Sequence, residues 1–345
     1  MRARVAVVGA VLAACLAWAA TAVQADLVTA IPAQLTYVTG NNGTVWIANV
    51  DGKSPRKLGA GTQPLISPDG AHVAASLFSS KGNALVIYSP GSPTRRYFDI
   101  SKANASALSW SSTSRYLAVA LSNVNGNGGS LVIVDTQTRT VKTIASGAVC
   151  GASFFPGAPE RLVYGIGPAS SFCLKSDIYV VPANGTGRVQ LTHGGRSLNP
   201  VWGASSIAFD RETLRHNDAP IYQIWLVNPN GTNQVQVTHT KVPTLLDGLV
   251  PKQFSGDGTR LLAAFVGQDT NETWTLDLRT HKARHLTVHN LDVTPGGLSS
   301  DGTTVLIDYG GFENPPSAGT VETLPFAGGT PRVLVKHAGE PGWNL

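Results

Sequence analysis

The chain has 345 residues, 42% of them apolar and 14% charged, and 26 basic against 21 acidic residues give a net charge of +5. That much apolar material excludes an intrinsically disordered chain. The basic excess is small and spread out, with no run of five or more Lys or Arg, which excludes a nucleic-acid footprint.

At the N-terminus, Arg2 and Arg4 precede the apolar stretch Val5–Ala22, and Val23-Gln24-Ala25 offers small residues for cleavage before Asp26. This pattern predicts a secretory signal peptide over residues 1–25 and an exported protein, periplasmic or extracellular. Two alternatives stay open: a retained membrane anchor, or lipidation at Cys15 in the stretch Leu12-Ala13-Ala14-Cys15. The apolar run past Cys15 favours simple cleavage. Beyond it, no apolar run approaches the roughly 18–20 residues that a membrane span needs. Cleavage leaves Cys150 and Cys173, which in an exported chain are a disulfide candidate. Two buried thiols are the other reading.

From residue 26 onwards a short phrase recurs about every 45 residues: an apolar anchor, a turn rich in Ser, Pro, Asp and Gly, then a β-branched run. Clear copies are Ile66-Ser67-Pro68-Asp69-Gly70, Phe254-Ser255-Gly256-Asp257-Gly258 and Leu298-Ser299-Ser300-Asp301-Gly302. Weaker copies start at Trp110, Phe155 and Trp202, and Trp343 is a seventh anchor; the intervals are 44, 45, 47, 52, 44 and 45 residues. Such a period with four short strands per unit predicts an all-β fold, a single β-propeller over residues 26–345.

Taking Thr62–Asp99 as the type unit, the strands are Thr62–Ile66, Val73–Leu77, Leu85–Tyr88 and Arg95–Asp99. Asp51-Gly52, Asn184-Gly185 and Asn230-Gly231 follow third strands and predict tight hairpin turns with both central residues at positive φ. The first unit, Leu35–Leu58, lacks an anchor strand, and Gly339–Asn344 supplies one with nothing after it. Joined, they make a shared blade and a count of seven, with the C-terminal strand closing the ring and removing open edges. Six blades is the alternative.

The stretches Val189-Gln190-Leu191-Thr192-His193, Asn199-Pro200-Val201-Trp202 and Asn230-Gly231-Thr232 through Val237-Thr238 resemble the TolB-type propeller repeat of exported bacterial proteins. The resemblance covers nearly all of residues 33–345 and implies the fold; members of this class are scaffolds, receptors and, more rarely, enzymes. TolB-like proteins carry an α/β domain before the propeller, which this sequence does not show ahead of its first repeat. No Gly-x-Ser-x-Gly nucleophile elbow occurs either.

Loops joining second to third strands, and fourth strands to the next anchor, share one face of a propeller, and function concentrates on loops held by a rigid scaffold. The 52-residue interval puts its extra length into Arg211–Pro220 and Thr240–Gly248. This predicts a charged rim patch of Arg211, Arg215, His216, Asp218, His239, Lys241 and Asp247, suited to an anionic partner. Phe312, in Tyr309–Pro316, is a further rim contact. His193, His239, His289 and His337 end fourth strands in four repeats. Convergence on a metal is the sharp reading of these histidines, but equivalent blade ends stand too far apart to share one ion, so no metal or cofactor is expected. The turn aspartates Asp69, Asp257 and Asp301 are read as structural. The expectation is therefore a monomeric, non-catalytic scaffold that binds a protein or envelope component. The alternative is a lyase or hydrolase of an acidic saccharide or lactone at the channel mouth.

Overall fold

Each repeat folds into a four-stranded antiparallel sheet, because its β-branched runs pair in sequence order through tight turns. The computed structural model describes residues 33–344 except 78–83, 93–94, 99–102, 124–127, 172, 217–218, 242–245, 268–269 and 311–314. Residues 1–25, read above as a signal segment, and Cys15 within them lie outside the described residues, which belong to one unit, Pro32–Leu345. Among them no helix is long and apolar enough to cross a membrane.

The described strands pair into seven sheets of four strands, the sixth extended by the short strand Leu291–Asp292 and joined to the fifth through one parallel contact. In sheet one, Gln34–Thr39 pairs outward with Thr44–Asn49 and inward with Ala338–Trp343. Sheets two to seven begin with the inner strands Thr62–Ile66, Ala103–Trp110, Ala148–Phe154, Ser197–Trp202, Leu246–Phe254 and Thr294–Leu298. Apolar side chains fill the gap between each pair of consecutive sheets. Sheets two and three meet at Leu85, Ile87, Trp110 and Val119; sheets seven and one meet at Leu306, Val321, Leu35 and Ala338. Second and third strands such as Val73–Leu77 and Ala84–Tyr88 are thus buried on both faces, which explains their loss of polar alternation.

The Ser-Pro-Asp-Gly turns are structural. Ser67, Ser255 and Ser299 each donate from Oγ to the carboxylate two residues on, at 2.5, 2.6 and 2.6 Å. The same hydroxyls accept the N–H of His72, Arg260 and Thr304, all at 3.0 Å. Asp257 therefore ionises far below the ordinary carboxylate, at about 2, held first by the Ser255 hydroxyl.

Three expectations need correction. The Asp-Gly and Asn-Gly turns do not carry two left-handed residues: only Gly52, Gly185 and Gly231 have positive φ (82°, 74° and 87°). Asp51, Asn184 and Asn230 instead accept an N–H two residues on, forming Asx turns. The fourth anchor is Phe154 rather than Phe155, since Phe154 stands opposite Leu162 as Trp202 stands opposite Ile207. Finally, the long interval is not a charged loop. Ile207–His216 and Ala219–Val227 form an extended hairpin in which Arg211 faces Gln223 and Arg215 faces Pro220. Strand Leu246–Phe254 touches this hairpin in parallel at Tyr222 and Gly248. A Cβ on Gly248 would lie 2.2 Å from the Tyr222 carbonyl oxygen, so only glycine permits the approach.

Candidate functional site

Seven inner strands standing side by side without a shared hydrogen-bond ladder leave backbone donors facing the centre. The residue before each of three anchors meets that need. Ser109 Oγ accepts the N–H of Phe154 at 2.9 Å, and Ser153 Oγ accepts that of Trp202 at 3.1 Å. Gln253 accepts the N–H of Leu298 at 2.9 Å and donates to its carbonyl at 3.0 Å. These side chains tie the first strands of sheets three, four and six to those of the sheets that follow.

At the turn end of the inner strands they enclose a cavity of about 730 Å³. Aromatic residues Trp110, Phe155, Trp202, Phe254 and Trp343 line it, with Lys252 the only charged residue among the described lining residues. Lys252 occupies a bulge between Pro251 and Gln253. Its side chain is reached by water yet closely ringed by protein, and this enclosure pushes the ammonium pKa below the ordinary lysine value, opposed by the charge of Asp210.

Towards the other face lies a belt of acids. Asp210 stands opposite Leu198 and Asp308 opposite Thr294, equivalent places in sheets five and seven. Sheets one to four and sheet six put Val38, Ser76, Ala120, Gly165 and Ala264 there. Burial pushes Asp210 up to about 7, against the Asn199 amide at 3.3 Å and the positive charge of Lys252. Burial likewise pushes Asp308 up to about 6, although Oδ2 accepts the Glu340 N–H at 2.8 Å. Each carboxyl has one buried oxygen, Oδ1, without a hydrogen-bond partner. Burial also raises the Glu340 carboxyl, which accepts the Gln63 N–H.

Three residues of this belt are held in the left-handed region: Gln63 (φ 52°), Asn199 (φ 45°) and Glu340 (φ 50°), each three before an anchor and each followed by proline. Such a conformation costs about 1–3 kcal/mol and clusters at functional sites.

Of the rim residues singled out in the sequence, the structure describes the side-chain surroundings of Arg211, His239 and Lys241. Arg211 is half-buried, stacked over Phe209 and Trp225 at 4.9 and 4.8 Å, and bonded to Ser197 and Gln234. It serves packing. Arg215, His216 and Asp247 are placed as strand backbone, His239 and Lys241 are exposed, and Asp218 and Phe312 lie outside the described residues. His193, His239, His289 and His337 are all exposed and join no ligand cluster among the described residues. Cys150 and Cys173 form a disulfide within sheet four, with Cα atoms 5.6 Å apart. The cavity and the acid belt had no sequence signal beyond a lone Lys and two Asp residues in apolar strands.

This architecture is that of a TolB-like β-propeller. No protein-family profile matches the chain. Among solved structures it is similar to TolB from Acinetobacter baumannii, with TM-score 0.54 and 15% identity over 90% of this chain and 66% of that one. The propeller domain of the Trilobed protease from Pyrococcus furiosus gives TM-score 0.62 and 14% identity over 88% of this chain and 95% of that one. An oligogalacturonate lyase in complex with manganese gives TM-score 0.55 and 15% identity over 89% and 85%. The chain thus spans just under two thirds of TolB and nearly all of the Trilobed domain. At these identities the likeness establishes the fold alone.

Proposed function

We propose that this is an exported binding propeller that seats an acidic group of a macromolecular partner in the central cavity, against Lys252. The reading takes residues 1–25 as a signal peptide and the seven sheets as blades of a ring closed through Ala338–Trp343. One observation carries it: the cavity wall combines rigid aromatic edges with a single, partly desolvated ammonium, while the acid belt stays behind the wall. A carboxyl that is 2% exposed and absent from the lining, as Asp210 is, does not touch a bound molecule. Aromatic surroundings with one charge recognise shape and a counter-charge, and a low local dielectric strengthens that pairing.

The test is a photo-cross-linking residue at Ala204, which is exposed on the cavity lining, in cells exporting the protein. An adduct of one defined mass is expected, absent from a cross-linker at exposed Arg284 on the outer edge and lost when Lys252→Met is added. An adduct indifferent to Lys252→Met sinks the reading.

A second reading is an enzyme acting on an acidic saccharide or lactone. The opposed shifts of Asp210 and Lys252 favour it, since an acid raised to about 7 beside a lowered amine is the chemistry of proton transfer. It requires turnover of an acidic oligosaccharide that disappears in Asp210→Asn. The binding reading expects no turnover by either protein.

A further inference from the structure

On the outer edge of sheet six, three side chains meet that neither the cavity nor the acid belt uses. Glu272 lies in the third strand, Asn271–Asp277, and His285 in the fourth, Lys282–Val288. Asp292 lies in a short fifth strand, Leu291–Asp292, which pairs with Thr287 and Val288. His285 Nε2 is 3.1 Å from Asp292 Oδ1 and 3.5 Å from Glu272 Oε2, and one ligand atom from each residue falls within 4.8 Å of the others.

We propose that Glu272, His285 and Asp292 bind a divalent first-row transition ion of the zinc class. Donor separations match: ligands about 2.1 Å from one ion at tetrahedral angles stand about 3.4 Å apart. Orientation matches as well. Although two carboxylates stand close to it, His285 Nε2 is a buried atom with no hydrogen-bond partner, because neither oxygen lies where an N–H would point. A buried imidazole nitrogen left unsatisfied between two carboxylates is the pattern of a ligand set rather than of a completed ion pair.

Outer partners hold each ligand. The Trp274 indole stacks on His285 with centroids 5.2 Å apart and planes 11° from parallel. Trp274 Nε1 donates to Glu272 Oε2 at 2.7 Å, and Thr270 Oγ1 donates to Asp292 Oδ2 at 3.3 Å. Such supports fix ring and carboxylate orientation in metal sites. Three protein ligands leave at least one position for water, on the side where Asp292 is exposed. The donor mix of one imidazole and two carboxylates suits zinc over softer, thiolate-seeking ions.

The test uses the mature protein stripped with a chelator and titrated with ZnCl₂ in a calorimeter, with Co²⁺ absorption and Trp fluorescence as parallel readouts. One equivalent is expected to bind, with quenching of Trp274 and the visible bands of an ordered Co²⁺ site. Asp292→Asn, on an exposed residue, should weaken binding at least about tenfold while leaving the melting temperature of the metal-free protein unchanged. His285→Gln should abolish the Co²⁺ bands, and His193→Gln, an exposed histidine in sheet four, should change nothing. No saturable binding, or equal binding by wild type and Asp292→Asn, overturns the assignment.

Discussion

Asp308 shows how a single side chain can set the acid–base behaviour of this fold. An aspartate in the unfolded chain titrates near 3.8, and here burial holds the proton to about 6. Between those values the folded state carries the extra proton, so this residue's contribution is most favourable below about pH 4, declines to about pH 6 and stays low above it. The rise from 3.8 to about 6 corresponds to at most about 3 kcal/mol. Asp308→Asn keeps an acceptor for the Glu340 N–H and removes the charge. The variant should be more stable than wild type by about 1–3 kcal/mol at pH 8 and equal to it at pH 3.5, read by urea unfolding at both values. A difference that ignores pH would show that packing, not ionisation, is at work. Neither Asp308 nor Asp210 was legible beforehand. Each sits where other sheets carry Val38, Ala120 or Ala264, and an Asp in an apolar strand gains meaning only when the fold places it behind the cavity wall.

At the level of strands, the stitching of neighbours by Ser109, Ser153 and Gln253 makes a sharper claim than core packing does. Ser153→Ala leaves the Trp202 N–H without its acceptor, and should cost about 1 kcal/mol in chemical denaturation. Ser205→Ala, one turn further on and exposed, should cost nothing measurable. The strands themselves were readable because a repeat writes each signal several times: Thr62–Ile66 and Val73–Leu77 fall where the phrase puts them. The long hairpin after Trp202 was not. Arg211 to His216 looks like a solvated loop by composition, yet its backbone is a paired strand, and Arg211 lies flat on Phe209 and Trp225. Composition reports solvent preference. It does not report that a guanidinium can cover an aromatic face.

The whole molecule depends on contacts between its two ends. Ala338–Trp343 pairs with Gln34–Thr39, Gln34 N–H donates to Asn344 Oδ1 at 2.8 Å, and Ala338 joins the core between sheets seven and one. Removing residues 338–345 takes away that strand and bares the edge of Gln34–Thr39 and its apolar neighbours. The truncated protein should bind a hydrophobic dye and sediment as aggregates, which the full chain should not; a soluble, unchanged truncation would mean that sheet one does not need its inner strand. The complementary half-units at the two ends were visible in the sequence. The cavity was not, because its wall is assembled from residues about 45 positions apart, none distinctive alone.

The pairing of Gln34–Thr39 with Ala338–Trp343 also orders events in time. A polypeptide emerges N-terminus first, so the strand made earliest waits for the one made last before its sheet is complete. Sheets two to seven can assemble as they appear, each from consecutive residues, but the first is finished only when Ala338–Trp343 has been made. A chain interrupted before Ala338 therefore carries an unclasped edge along Gln34–Thr39, the kind of exposed strand that invites pairing with another chain.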